Sequence, residues 1–181
     1  MVKDSNILNL LNGKFWSRMA YQIGKYDFSL DDIEHGILRA NRPHPAKKDN
    51  HFSHGDSRIK YCVRKLDPRI HFALNCGAKG CPPIAFYTID NLERGLQLAC
   101  QAFCTNETQI FPDENKMVIS RLLLWYGTDF VENPDEEIID YVSSKFRPDD
   151  EIKHKFDQLK SSCPKIKVEF SDYNWELNIK I

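Results

Sequence analysis

No stretch of this sequence approaches the roughly 20 consecutive apolar residues that a membrane-crossing helix needs. Its opening, MVKDSNILNLLNGKFW, is broken by Asp4, Asn6, Asn9 and Asn12, so the apolar run of a secretory signal is missing too. Net charge is nearly absent: 25 Lys and Arg against 26 Asp and Glu leave −1. Electrostatics therefore propose neither nucleic acid nor an anionic membrane as a partner. The chain also has no internal repeat and no low-complexity segment. These absences point to a cytoplasmic protein with no membrane span and no nucleic-acid partner. What is present is ordinary for a globular chain: 181 residues, 41% hydrophobic and 28% charged. That length suits one domain over residues 1–181, with a core that needs no staples.

The six cysteines lack a disulfide-framework pattern, and a reducing compartment would keep them as thiols. Cys100 and Cys104 lie four apart in a helical pattern, so they share a face and read as small buried residues. Cys62 and Cys163 have no partner spacing. Cys76 and Cys81 fall in the most unusual segment, Arg69–Ile84, RIHFALNCGAKGCPPI, which also holds His71, Gly77, Gly80, Pro82 and Pro83.

Hydrophobic periodicity outlines the elements. Ser5 can cap a helix carrying Ile7, Leu8, Leu10, Leu11, Phe15 and Trp16. RMAYQIGKYDFS alternates across Gly24-Lys25 as a hairpin does. SLDDIEHGILRAN is a short helix with Ser29 as N-cap and Asp31 and Asp32 in its first turn. Residues 41–58 are polar and broken by two prolines, which predicts an exposed loop. IHFALNC has strand character. A helix is expected over 90–104, a strand running into an aromatic turn in KMVISRLLLWYGTDF, a helix from Pro134 to Phe146, another over 149–161, and strands in KIKVEFSDYNWELNIKI. No regular βαβ alternation appears, so the expected class is α+β: one domain with a mixed, mainly antiparallel sheet and flanking helices.

At 100° per residue, Glu34 falls inside the apolar stripe of Leu30, Ile33, Ile37 and Leu38, with His35 at its edge. An inward carboxylate needs a partner, either an arginine such as Arg39 or Arg69 or a histidine in acid–base work. In the expected strand, His71, Ala73 and Asn75 share one face, and Phe72, Leu74 and Cys76 the other. The loop after it could present backbone N–H groups and Lys79 to an anion. A zinc site is poorly supported, because Cys76, Cys81 and His71 would be joined by His35, His51 or His54 and no second cysteine pair exists. A redox dithiol prefers C-x-x-C, and this spacing is two residues longer. A thiol hydrolase with Cys76 or Cys81 as nucleophile and His71 as base stays open, although the usual helix-borne cysteine is missing. No metal site and no cofactor are expected.

SLDDIEHGILRAN, DPRIHFALNCGAKGCPPI, VISRLLLWYGTDF and DYNWELN together resemble the family called domain of unknown function 547, over about residue 21 to the C-terminus. The resemblance marks Glu34, His35, Arg39, Arg69, His71, Cys76, Gly77, Cys81, Pro82, Trp125, Tyr126 and Asp129, and it supplies no reaction. The family's opening Phe-Trp-x-Asn-x-Tyr-Asn helix is not matched, so the chain is expected to lack its N-terminal helix. The family's Tyr-Asp-Trp is replaced by Tyr173-Asn174-Trp175. A distant papain- or transglutaminase-like core, drawn by analogy, would make His71 the base and Asn174 the orienting group. The expected catalytic set is then His71, Cys76, Cys81, Glu34, His35 and Asn174, with Arg39, Arg69, Lys79, Trp125, Tyr126 and Asp129 as binding residues. The preferred reading is an intracellular regulatory or protein-interaction module with a polar Glu/His/Arg cluster and an unidentified protein partner. A Cys/His thiol-dependent hydrolase or transferase, inactive in this chain, is the alternative.

Overall fold

The computed structural model describes residues 14–163 and 165–178. The expected N-terminal helix lies outside them as far as Leu11, while its Phe15 and Trp16 fall in the described helix Phe15–Arg18. The class is α+β, and among the described residues no helix is long and apolar enough to cross a membrane. The described residues fall into two compact units: those from 14–70, 76–81 and 174–178, and those from 71–75 and 82–173.

In the first unit, strands β1 (Ala20–Ile23) and β2 (Tyr26–Ser29) form the expected antiparallel hairpin, with Tyr21 opposite Phe28. Phe28 is buried, meets Tyr61 edge-on and lies tilted against Tyr26. The helix Asp32–Leu38 follows, and it is wound wide: Arg39 N–H donates to the Glu34 carbonyl and Asn41 N–H to that of Gly36, each five residues back. That winding turns less than 100° per residue and rotates the expected face. His35 and Gly36 are buried, while the Glu34 side chain keeps 29% of its surface. The placing of Glu34 inside the apolar stripe, with His35 at its edge, is corrected accordingly. A side chain on Gly36 would overlap the Phe52 ring. Phe52 is itself buried and tied at both backbone groups to the Asn41 amide, at 2.6 and 3.2 Å. The expected loop over 41–58 is therefore anchored at this ring rather than exposed throughout.

The helix begins in a reciprocal cap. Asp32 N–H donates to Ser29 Oγ (3.0 Å), and Ser29 N–H donates to Asp32 Oδ2 (2.9 Å). The same carboxylate meets His51 Nε2 at 2.7 Å and Arg58 Nη1 at 3.1 Å. The Arg58 guanidinium also lies 4.5 Å over the Phe52 ring. Asp32 thus joins the hairpin end, the wide helix and the 51–58 segment.

In the second unit, β3 (Gln109–Phe111) runs antiparallel to β4 (Lys116–Ile119), and β5 (Lys167–Phe170) runs parallel to β4, giving the order β3-β4-β5. The helix Leu92–Asn106 packs Leu96, Cys100, Phe103 and Cys104 inward. Pro134 at the first turn and three acidic residues beside it start the helix Pro134–Ser143, as its sequence predicts. Phe72, Met117, Ile119, Leu123, Phe130, Val142 and Phe156 complete one core. Each fully buried aromatic or aliphatic side chain there contributes about 1.5–3 kcal/mol.

The expected strand IHFALNC does not form. Pro68–Phe72 is a tight 3₁₀ turn, started where Asp67 accepts the Arg69 N–H at 3.0 Å. Successive residues of such a turn do not alternate between two faces, so His71 and Phe72 are both buried. The separation of His71 from Phe72 by period-2 alternation is corrected. Beyond β5 the described residues form no further named strand; they make an isolated bridge, Ala78 to Leu177.

Burial alone would raise the Asp32 carboxyl, but hydrogen bonds from His51 and Ser29 and the Arg58 charge outweigh it and leave it below the ordinary carboxylate range. A lowered folded-state value means the stabilisation is complete above about pH 3.9 and is lost as pH falls through the folded value. Asp32→Asn should cost about 2 kcal/mol at neutral pH in denaturant titrations. The wild type's advantage over the variant should shrink as pH drops below about 4. A pH-independent difference would remove Asp32 from this role.

Candidate functional site

His71 sits at the end of the Pro68–Phe72 turn and meets Asp129 at 2.8 Å through Nε2, with side-chain exposures of 1% and 0%. Its ring stacks on Tyr126 at 3.9 Å between centroids and leans on Phe130 at 5.4 Å. The short helix Gly127–Phe130 carries Asp129, and Ser120 Oγ caps the preceding helix Arg121–Trp125. Five of the marked residues, His71, Asp129, Tyr126, Trp125 and Pro82, thus belong to this unit, and the first three meet. Trp125 lies 5.1 Å from the Tyr173 ring. A general base must reach a transferable proton. This imidazole is enclosed, and its Nε2 is engaged by a buried carboxylate.

The first unit holds Glu34, His35, Arg39, Arg69, Lys79, Cys76, Cys81 and Asn174. Arg39 is 4% exposed; it donates to His35 Nδ1 at 3.0 Å and to the Pro43 carbonyl at 2.7 Å. Glu34 Oε1 lies 4.0 Å from the same nitrogen. The His35 ring meets those of His44 and His51 at 4.7 and 5.9 Å. Burial, outweighing the nearby carboxylates Asp31 and Glu34, holds His44 below its ordinary value, which favours neutral imidazole. Arg69 grips Asp67 through Nε and Nη2, at 3.0 and 2.6 Å. Among the described residues no group of three or more His, Cys, Asp or Glu side chains is placed to hold a metal ion.

Cys76 and Cys81 come together at the Gly/Pro corner, Sγ to Sγ 3.1 Å. The corner is pinned to the chain's end: Lys79 and Gly80 N–H donate to the carbonyls of Glu176 (2.8 Å) and Asn174 (2.9 Å), and Asn178 N–H donates to Gly77 O. The Asn174 side chain accepts the Glu176 N–H at 2.9 Å, and Lys79 pairs with Glu176 at 2.7 Å. Elsewhere, Cys100 and Cys104 are buried as expected, at 0% and 1% exposure. The Cys104 thiol is pushed far up by its hydrogen bond to Cys100 and by burial, and burial raises Cys62. A cleft of about 590 Å³ lined by residues such as Thr108, Gln109, Arg147 and Lys155 shares none of these groups.

The family described as "Protein of unknown function, DUF547" matches residues 4–104. The chain belongs to that family. The DUF547 match takes in the Glu34-His35 helix and the Cys76–Cys81 corner and ends before Trp125, Tyr126, Asp129 and Asn174. No curated protein and no solved structure matches the chain.

Sequence reasoning missed Asp32 as a junction, though Ser29-x-x-Asp32 is a readable capping spacing. It named Asp129 without pairing it to His71, because 58 residues separate them. Removing one partner of a buried pair strands the other, so Asp129→Ala should cost about 3–5 kcal/mol. The double change His71→Phe with Asp129→Leu should cost well under the sum of its single changes. Additive costs in denaturant titrations would show that the two side chains do not depend on each other.

Proposed function

We propose that this chain is a protein-binding module that holds an extended, apolar segment of a partner protein along residues 83–89. One observation carries the reading: Ile84, Phe86 and Ile89 are 75%, 91% and 98% exposed within a few residues of each other. Water contact for three large apolar side chains is unfavourable, and such clusters mark interaction sites.

The backbone here supports the same partner chemistry. Residues 82–88 adopt no regular element, and among the described residues the backbone groups of Ile84, Ala85 and Tyr87 make no hydrogen bond. Backbone with unpaired N–H and C=O groups accepts another strand by main-chain pairing, while alternate side chains give selectivity. Both ends of the segment are anchored. The Asn75 amide donates to the Pro82 carbonyl at 2.7 Å, and Asn91 accepts from Thr88 N–H at 2.7 Å and donates to the Phe86 carbonyl at 3.2 Å. Anchored ends reduce the ordering cost of binding.

The polar residues take a structural part in this reading. Arg39–His35 and His71–Asp129 satisfy buried groups. The alternative, thiol-dependent hydrolysis with His71 as base, draws less support. That alternative takes Cys76 or Cys81 as nucleophile and needs an accessible base, whereas the His71 imidazole is enclosed and its Nε2 meets the buried Asp129 carboxylate.

Selection of a displayed random-peptide library on the whole protein tests the proposal. The expected winners are peptides with alternating apolar residues. Their affinity, read by fluorescence polarisation, should fall at least tenfold in Phe86→Asp and Ile84→Asp proteins with unchanged circular dichroism. Winners that bind those variants as well as the wild type would overturn the assignment. So would concentration-dependent self-association without peptide binding, which would give the surface to a second copy.

A further inference from the structure

The corner formed by Cys76, Gly77, Ala78, Lys79, Gly80 and Cys81 holds two thiols whose sulfurs are 3.1 Å apart. Their sequence separation argues against a redox pair, since it exceeds the usual C-x-x-C by two residues. The fold removes that objection. Gly77 lies at φ +89°, in the left-handed region that glycine enters without a Cβ penalty. Cys81 N–H then donates to the Ala78 carbonyl at 3.1 Å, closing a turn that brings the second sulfur back to the first. Ala78, at the centre of the turn, is fully buried. The bonds to Asn174, Glu176 and Asn178 hold the loop from outside.

The two thiols are not equivalent. Cys81 Sγ accepts the backbone N–H of Cys76 at 3.1 Å and faces the Cys76 thiol at the same distance. The backbone N–H aimed at Cys81 Sγ favours negative charge there, so Cys81 is the attacking thiolate and Cys76 its neighbour in reserve. Both residues are partly exposed, whereas Cys100 and Cys104 are buried. A disulfide bond is ~2.05 Å long. Closure from the present separation therefore asks for about 1 Å of movement, within side-chain rotation.

We propose that Cys76 and Cys81 form a thiol–disulfide exchange site for low-molecular-weight disulfides. Cys81 thiolate attacks one sulfur of the disulfide RS–SR. The Cys81 Sγ–SR bond forms, the S–S bond breaks, and RS⁻ leaves and takes up a proton. Cys76 then loses its proton and attacks Cys81 Sγ, closing the Cys76–Cys81 disulfide and releasing the second RS⁻. Two cysteine thiols are oxidised, one external disulfide is reduced to two thiols, and the two cysteine protons end on them. The half-buried, pinned corner admits a small disulfide more readily than a folded protein's.

The test is incubation of the whole chain with bis(2-hydroxyethyl) disulfide near neutral pH, followed by maleimide trapping and peptide mass mapping. Wild type should release two equivalents of 2-mercaptoethanol and lose maleimide labelling at Cys76 and Cys81 together, ahead of Cys62 and Cys163. Cys76→Ser keeps the backbone donor to Cys81. It should therefore release one equivalent and hold a mixed disulfide on Cys81. Cys81→Ser should leave Cys76 modified no faster than Cys163. Equal modification of Cys62 and Cys163, or a wild-type protein that stops at a mixed disulfide, would overturn the proposal. So would adduct formation on Cys76 in the Cys81→Ser protein at the wild-type rate.

Discussion

A polar side chain taken out of water must find a partner, and this requirement orders both halves of the structure. Burying an unpaired charge costs several kcal/mol or more, enough to outweigh the net stability of many domains. His71 and Asp129 meet the requirement within an aromatic cluster, where Tyr126 and Phe130 flank the ring and Phe72 stacks on Phe130. Arg39 meets it by donating to His35 and the Pro43 carbonyl. Asp32 meets it most completely, joining Ser29, His51 and Arg58. The most chemical-looking residues of the chain are thus occupied in holding it together.

Function is then sought where the same requirement is not met. Apolar side chains at 84, 86 and 89 face water, beside backbone groups of Ile84, Ala85 and Tyr87 that make no hydrogen bond among the described residues. The Cys76–Cys81 corner differs again: its groups are satisfied by one another, yet they stay partly open to solvent. One feature suits a partner that covers surface, and the other a small molecule that reacts. DUF547 membership rests on the residues before 104, and both features fall inside that span.

Much of the fold was legible because local periodicity and burial agreed. Leu96, Cys100 and Phe103 recur at helical spacing, Pro134 and its acidic neighbours announce a helix start, and Gly24-Lys25 separates two alternating runs. Elsewhere a local pattern was overridden. IHFALNC alternates like a strand, but Asp67 and Pro68 start a tight turn, and Asp129 and the phenyl cluster draw two successive side chains inward. The EHG segment was read at 100° per residue, whereas its five-residue hydrogen bonds turn His35 inward in place of Glu34. The His71–Asp129 pair has no local signature at all. The nearness of Cys76 to Cys81 depended on the backbone angle at Gly77, which a residue count does not reveal.

The central claim is that the buried polar pairs serve stability while the exposed apolar segment serves binding. It is tested most directly by measuring both quantities on the same two proteins. For Asp129→Asn and for Phe86→Asp, the denaturation midpoint and the affinity for a library-selected peptide would be determined under conditions where each is folded. The account predicts that Asp129→Asn loses stability and keeps its affinity, and that Phe86→Asp keeps its midpoint and loses its affinity. An Asp129→Asn protein with an unchanged midpoint and no peptide binding would contradict it.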